Sequence, residues 1–306
     1  MNEVCLITGA TSGLGFATAH RLAAEGAKVV IVGRTAAKAE AAARAIADRA
    51  GGGAAIDWLA ADFAVQQRVR DLAAGFARRY SRLDVLINNA GAIIPRRQVT
   101  PEGVELTLAV NHLAPFLLTN LLRPLLVTSA PSRVVNVSSV AHERAQLDPD
   151  DLAPERMYIP FRAYARSKLA NVLFTYELAR RLEGTGVTVN AANPGLVRTR
   201  LGEGNGLIRE AALRLTQLRY RKLYLTSDQG ADTICFLATS PSVASVTGKY
   251  FYERRPVPSS ALSTDRGTAE RLWSTSERLT HLVPVEESVR TDASPRSTSG
   301  AYARKP

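Results

Sequence analysis

Short runs of β-branched and other apolar residues alternate with longer stretches rich in alanine and arginine, whose apolar positions recur at helical spacing. The runs predict strands at Val4–Thr8, Lys28–Val32, Ala55–Ala60, Leu83–Asn88, Arg133–Val137 and Val187–Ala192. The stretches between them predict helices at Leu14–Glu25, Ala36–Ala50, Val65–Tyr80, Pro101–Val127 and Phe161–Glu183. The fourth helix is expected to bend near Pro115 and Pro124, because a proline removes a donor from the helical ladder. The loop Gly51-Gly52-Gly53 separates the second helix from the third strand. Regular strand–helix alternation predicts α/β architecture: one doubly wound parallel sheet between two layers of helices. Ligands of such sheets bind at the carboxyl ends of the strands.

After Pro194 the alternation stops. Leu207–Leu225 is arginine-rich with apolar residues at helical spacing, Ser227–Ala238 predicts a helix, Lys249–Tyr252 a short strand and Arg266–Leu282 a closing helix. Residues 283–306 are rich in Ser, Thr, Arg and Pro and are expected to form a flexible tail. One domain over residues 1–282 with no internal repeat is therefore expected.

With 306 residues, 46% of them hydrophobic and 22% charged, the chain can bury an ordinary core without disulfides or a structural metal. Cys5 and Cys235 lie in apolar runs and are expected to be core residues in a reducing compartment. The four histidines are scattered, so no metal site is expected. Met1-Asn2-Glu3-Val4 leads straight into a strand, and no apolar run is long enough to span a bilayer. The expectation is a cytoplasmic protein without a membrane span. The net charge of +11 raises the question of nucleic acid. The charge is mostly arginine spread over helix surfaces, beside abundant alanine, which points instead to the composition of a GC-rich bacterial genome. No nucleic-acid partner is expected, and the charge would favour an anionic cofactor.

Thr8-Gly9-Ala10-Thr11-Ser12-Gly13-Leu14-Gly15 follows the first strand and opens the first helix. Glycines here permit a tight turn and close approach of a pyrophosphate, to which the helix N-terminus presents free N–H groups. The spacing Gly-x-x-x-Gly-x-Gly resembles that of the short-chain dehydrogenase/reductases. The resemblance covers roughly residues 3–282 and is carried further by Asp62 after strand three, Asn88-Asn89-Ala90-Gly91 after strand four, then Asn111, Ser139, Tyr164 and Lys168, and finally Asn193-Pro194-Gly195 and Thr199. It implies a Rossmann-like single domain. It also implies cofactor contacts from Gly9, Thr11, Ser12, Gly13, Leu14, Gly15, Asp62, Phe63, Asn89, Ala90, Gly91, Tyr164, Lys168, Pro194, Gly195, Val197 and Thr199, with residues of about 200–226 forming a lid over the substrate.

Strand two ends in Val32-Gly33-Arg34-Thr35, with no acid from Lys28 to Ala39 to receive the ribose hydroxyls of NAD(H). The Arg34 guanidinium can instead pair with a 2′-phosphate, assisted by Lys38, so NADP(H) is the expected cofactor. Stacking of Arg34 on the adenine, which would suit either form, is the alternative.

Tyr164 and Lys168 stand four residues apart on one helix and share a face. An ammonium and the positive charge of an oxidised nicotinamide would pull the phenol down from its ordinary value of about 10. Tyr164 would then exchange a proton with a carbonyl or alcohol oxygen. The family resemblance makes Ser139 the partner that hydrogen-bonds this oxygen, Lys168 also a ribose ligand, and Asn111 the anchor of a water linking Lys168 to solvent. Ser138 is taken as structural.

The 25 positions from Ser139 to Tyr164, with Ala141-His142 after the serines and Leu169-Ala170-Asn171-Val172-Leu173-Phe174-Thr175 after the lysine, resemble the retinol-dehydrogenase-like branch. That branch handles bulky lipophilic alcohols and carbonyls, although Asn193 stands where the branch usually has His and its membrane-anchoring N-terminus is not found. Ala141, His142, Tyr158, Phe161 and Leu196 are the candidate substrate contacts, with His142 alternatively filling the strand end. The arginines of Leu207–Leu225 read best as a solvated helix face. The expected activity is an NADP(H)-dependent ketoreductase or alcohol dehydrogenase acting on a bulky, largely apolar small molecule, as in bacterial secondary metabolism. Alternatives are an epimerase or dehydratase with retained cofactor, and a non-catalytic NADP(H) sensor. Apolar positions on Pro101–Val127 and Phe161–Glu183 exceed what one sheet face needs, and the family pairs these helices across a two-fold axis; a homodimer or homotetramer is expected.

Overall fold

The computed structural model describes residues 3–51, 54, 56–152, 158–197 and 224–282. Eight strands form one sheet: β1 (Val4–Thr8), β2 (Lys28–Gly33), β3 (Ile56–Ala60), β4 (Val85–Asn88), β5 (Ser132–Val137), β6 (Val187–Asn193), β7 (Lys249–Tyr252) and β8 (Arg255–Pro256). Their order is β3-β2-β1-β4-β5-β6-β7-β8. All neighbours pair in parallel except β7 and β8. The two-residue β8, which the sequence reading lacks, is reached through a tight turn at Glu253 and Arg254, both in the left-handed region.

The strands alternate two buried faces, as expected when helices cover both sides. Leu6 and Val30 point toward α3 (Gln66–Arg79), α5 (Ala114–Thr128) and α6 (Pro160–Arg181). Cys5, Ile7, Val29 and Ile31 point toward α1 (Gly13–Ala24), α2 (Ala36–Arg49) and α7 (Ser227–Thr239). Cys5 and Cys235 are buried free thiols, and burial pushes Cys235 up to about 12. β1 lies between β2 and β4, so the chain reverses its winding there and leaves a crevice beyond Thr8 and Asn88.

The expected helix over Pro101–Val127 is broken. Pro101–Gly103 forms a turn with Gly103 at φ 79°, and Thr100 N–H donates to the Val104 carbonyl at 2.8 Å. The Glu105 carboxylate then accepts from Thr107 N and Leu108 N and starts α4 (Leu106–Leu108). A π turn over Ala109–Leu113 joins α4 to α5. The irregularity near Pro115 is thus a π turn that ends just before it, with Pro115 in the first turn of α5, while Pro124 sits inside α5 on its exposed side.

The last helix, α8 (Arg266–Leu279), lies on α6. Trp273 packs against the rings of Phe116 and Phe174, at centroid distances of 4.9 and 5.9 Å, and the Arg181 guanidinium stacks on it at 4.1 Å. Apolar surface on α5 and α6 that suggested a subunit interface is thus partly covered by the chain's own C-terminal helix. The tail from 283, and all but the end of the expected lid, lie outside the described residues.

Candidate active site

The crevice is built from two turns that lock onto each other. Gly9 has φ 66°, and a Cβ there would lie 2.7 Å from the Ala90 Cα. A Cβ at Gly15 would meet Asn89 Nδ2 at 2.4 Å and the Gly9 carbonyl at 2.5 Å. The Asn89 amide donates to the carbonyls of Thr8 (2.8 Å) and Gly9 (3.1 Å), while the Thr8 hydroxyl accepts from Asn89 N and Ala90 N at 3.0 Å each. Only glycine permits this approach, which explains why the motifs after β1 and β4 occur together.

The mouth of the turn fits a pyrophosphate. Ser12 is exposed and its side chain does not cap α1, whose first turn carries no acid. Gly13, at φ 55°, faces open space. Helix N–H groups left this way attract anions. Leu14 is buried beneath them. Thr11 touches the end of β2, since a Cβ on Gly33 would lie 2.6 Å from its methyl. Arg34 and Lys38 are both exposed at that end, where the Thr35 hydroxyl accepts the Lys38 N–H and caps α2. Asp62 is half-buried and accepts from Ala64 N at 3.0 Å, and Phe63 belongs to the core.

β5 runs into Ser138 and Ser139, and α6 begins at Pro160, which needs no N–H in a first helical turn. Ser138 is buried and donates to the Lys168 carbonyl at 2.9 Å, a tie between strand and helix. Ser139 Oγ accepts from Ala141 N at 3.2 Å and faces the Tyr164 phenol. Lys168 is 4% exposed, and its ammonium donates to the Val137 carbonyl at 2.9 Å, 5.6 Å from the Tyr164 ring. Burial pulls Lys168 down to about 8, so it remains largely charged at neutral pH. Burial also raises the Tyr164 phenol, against the opposing effect of the Ser139 hydroxyl. That is opposite to the expected direction, because desolvation outweighs the hydrogen bond with Ser139. Asn111 sits in the π turn, where its Oδ1 accepts from Ala92 N (2.8 Å) and its Nδ2 donates to Ala92 O (2.9 Å) and Ser167 Oγ (3.0 Å). A Cβ at Gly91 would lie 3.4 Å from Lys168 Nζ and 3.6 Å from Asn111 Oδ1. Four elements thus bring Gly91, Asn111, Ser139, Tyr164 and Lys168 together.

After β6, Asn193 Oδ1 accepts from Gly195 N at 3.0 Å, and Pro194 and Gly195 turn the chain, Gly195 with φ 78°. Val197 returns toward the glycine turn: a Cβ on Gly230 of α7 would meet both Val197 Cγ2 (2.4 Å) and Leu14 Cδ1 (3.2 Å). Thr199 lies outside the described residues.

The candidate substrate residues divide. Phe161 and Leu196 are exposed, with the Phe161 ring 6.3 Å from that of Tyr164. Tyr158 is tied by its hydroxyl to the Ile94 carbonyl at 2.8 Å and to Thr107 at 3.0 Å. Ala141 is buried. His142 is fully buried: its Nδ1 donates to the Ser139 carbonyl at 2.7 Å, its Nε2 accepts from Ser260 N at 3.2 Å, and Tyr250 packs on its ring at 4.7 Å. It therefore braces Ser139 from behind, with no ring nitrogen left to meet a substrate. Sequence reasoning missed Ser167 and Asn171. The available signal for Asn171 was one amide inside the apolar run Leu169–Leu173, which must find a buried partner.

Comparison with known proteins agrees with this geometry. The short chain dehydrogenase family profile matches residues 3–207. The chain is 43% identical over 284 residues to retinol dehydrogenase 14 of Mus musculus, covering 90% of this chain and 85% of the relative. It is 40% identical over 272 residues to a candidate daunorubicin C-13 ketoreductase of Streptomyces sp. (strain C5), covering 89% and 90%. Among solved structures, a short chain dehydrogenase from Burkholderia cenocepacia J2315 in complex with NADP superposes with a TM-score of 0.65 at 28% identity, covering 81% of this chain and 95% of that one.

Proposed function

The chain belongs to the short-chain dehydrogenase/reductase family, retinol-dehydrogenase-like branch, and on that premise we propose that it is an NADP(H)-dependent reductase of bulky, largely apolar ketones or aldehydes, reversible toward the secondary or primary alcohol. The observation that carries the reading is the meeting of Ser139, Tyr164, Lys168 and Asn111 around Gly91, beside an uncapped helix N-terminus.

The nicotinamide, when bound, exchanges a hydride with the carbonyl carbon. Gly9, Gly13 and Gly15 would seat its pyrophosphate, with Asn89 to Gly91 and Pro194 to Val197 bordering the cofactor on either side, and Thr199 added from beyond the described residues. Arg34 and Lys38 would take a 2′-phosphate; their exposure where β2 ends supports NADP(H) over NAD(H). Lys168 would hold the ribose and keep a positive charge against the phenol. In reduction, Tyr164 donates its proton to the carbonyl oxygen as negative charge develops there, and Ser139 donates a hydrogen bond to the same atom. A phenol raised by burial holds this proton firmly until that charge appears. Exposed Phe161 and Leu196 would offer an apolar rim to the substrate. A relative described as a ketoreductase supports the carbonyl direction.

The test is consumption of NADPH, with NADH in parallel, against a panel of bulky polyketide-like, terpenoid and steroid ketones. Faster turnover with NADPH on at least one of them supports the proposal. No turnover with any carbonyl or alcohol, from protein that binds NADPH, would refute it and favour the sensor reading.

A further inference from the structure

Asn111 is the one member of the catalytic set that lies in a π turn, and the reason is local. In an α-helix the N–H of residue 115 serves the carbonyl of residue 111. Residue 115 is proline and has no N–H, so the Asn111 carbonyl loses its α-helical donor. That carbonyl is buried in a residue with no exposed surface, where a missing partner is costly. The donor comes instead from another helix: Asn171 Nδ2 of α6 reaches the Asn111 carbonyl at 2.9 Å.

Asn171 is itself held. With its amide nitrogen on the Asn111 carbonyl, its Oδ1 faces His112 Nδ1 at 3.3 Å, so Nδ1 carries the ring proton. Nε2 lies 3.0 Å from the Ser276 hydroxyl of α8, which itself donates to the Leu272 carbonyl at 2.7 Å. The donations from His112 to Asn171 and from Asn171 to Asn111 run the same way, and Ser276 of the C-terminal helix packs its hydroxyl against the far side of the imidazole. Asn171, His112 and Ser276 are 3%, 1% and 0% exposed, and the Phe116 and Phe174 rings flank the imidazole, so water cannot readily substitute for any member. At the other end the Asn111 side chain holds Ala92 through both its N–H and its carbonyl, and it borders Gly91 together with the Lys168 ammonium.

We propose that Asn171 is a positioning residue of the catalytic centre. Its amide replaces the donor that Pro115 lacks, with His112 and Ser276 fixing its orientation, and the C-terminal helix thereby sets the place of Asn111 beside Lys168. The inference rests on the catalytic reading given above for Asn111 and Lys168.

The variants Asn171→Leu, His112→Leu, His112→Asn and Ser276→Ala test it, with Tyr164→Phe alongside. The readouts are kcat and KM with NADPH and an aryl-substituted diketone, NADPH affinity by fluorescence, and hydrogen exchange of the amides at 109–114. Asn171→Leu and His112→Leu should lower kcat about tenfold, the scale of one misplaced hydrogen bond, with KM and NADPH affinity within about threefold. Exchange at 109–114 should accelerate while that of α2 does not. His112→Asn keeps a donor toward Asn171 and should recover most of the turnover; Ser276→Ala should show the same pattern more weakly. Native kcat and native exchange in folded Asn171→Leu would overturn the proposal, as would His112→Asn behaving like His112→Leu. Should the leucine variants fail to fold, native kcat and exchange in Ser276→Ala would overturn it and a selective fall in kcat would support it. Native turnover in Tyr164→Phe would instead strike at the catalytic reading, while native exchange at 109–114 in Asn171→Leu strikes at the positioning role alone.

Discussion

Acid should destabilise this protein through His112. Its imidazole is 1% exposed, and burial pulls it from 6.5 down to about 4, against a small opposing effect of Asn171. The side chains of Asn171, Ser276, Phe116 and Phe174 that meet the ring are all uncharged. Between those two values the unfolded chain binds a proton that the folded chain refuses, so stability rises with pH and is lost as pH falls from about 6.5 toward 4. Working the two values through the linkage relation, the His112 contribution between pH 7 and pH 5 is about 2 kcal/mol. The assay is equilibrium urea unfolding at pH 7, 6 and 5 of the native protein and of His112→Asn. His142, also lowered by burial, remains in both proteins and cancels in the difference. The native protein should lose about 2 kcal/mol more than the variant over this range. Parallel losses in the two proteins would refute the argument, and with it the neutral tautomer on which the hydrogen-bond series depends.

Arg34→Asp should weaken NADPH by about 2 kcal/mol or more while NADH suffers less, measured by titration calorimetry with both cofactors; equal losses would mean that Arg34 does not read the 2′-phosphate. Gly9→Ala forces a Cβ into a left-handed residue, at about 1–2 kcal/mol, and onto the Ala90 backbone at 2.7 Å. Both thermal stability and NADPH affinity should fall, the latter by about tenfold or more. An unchanged NADPH affinity in Gly9→Ala would mean that the two turns do not shape the cofactor seat.

Motifs whose chemistry depends on local chain geometry were legible in the sequence. The glycine turn after β1, the Asn-Asn-Ala-Gly after β4 and the Tyr164–Lys168 pair each lie within a few residues, so their arrangement follows from strand, turn and helix periodicity. Long-range braces were not legible. Pro115 announced an interruption, but the donor that meets the freed Asn111 carbonyl is Asn171, 60 residues away in α6, which no local pattern names. His142 looks like a substrate ligand beside Ser139 until the Ser260 N–H, 118 residues away, is seen to occupy its second nitrogen. The apolar surplus of α5 and α6 suggested a subunit interface, because periodicity reports that a face is covered without naming the cover; Trp273 of α8 supplies part of it. β8 is two residues long and has no pattern to read.

The central claim is that Tyr164 transfers the proton while the cofactor seat is independent of its hydroxyl. Tyr164→Phe keeps the ring beside Phe161 and Lys168 and removes only the phenolic oxygen. Single-turnover reduction of a ketone substrate, with NADPH affinity measured on the same protein, separates the two roles. The rate should fall by about 10²–10⁴-fold, the usual contribution of proton transfer. NADPH affinity should change by less than about threefold, well under 1 kcal/mol. A Tyr164→Phe protein that reduces the ketone at a near-native rate would contradict the account.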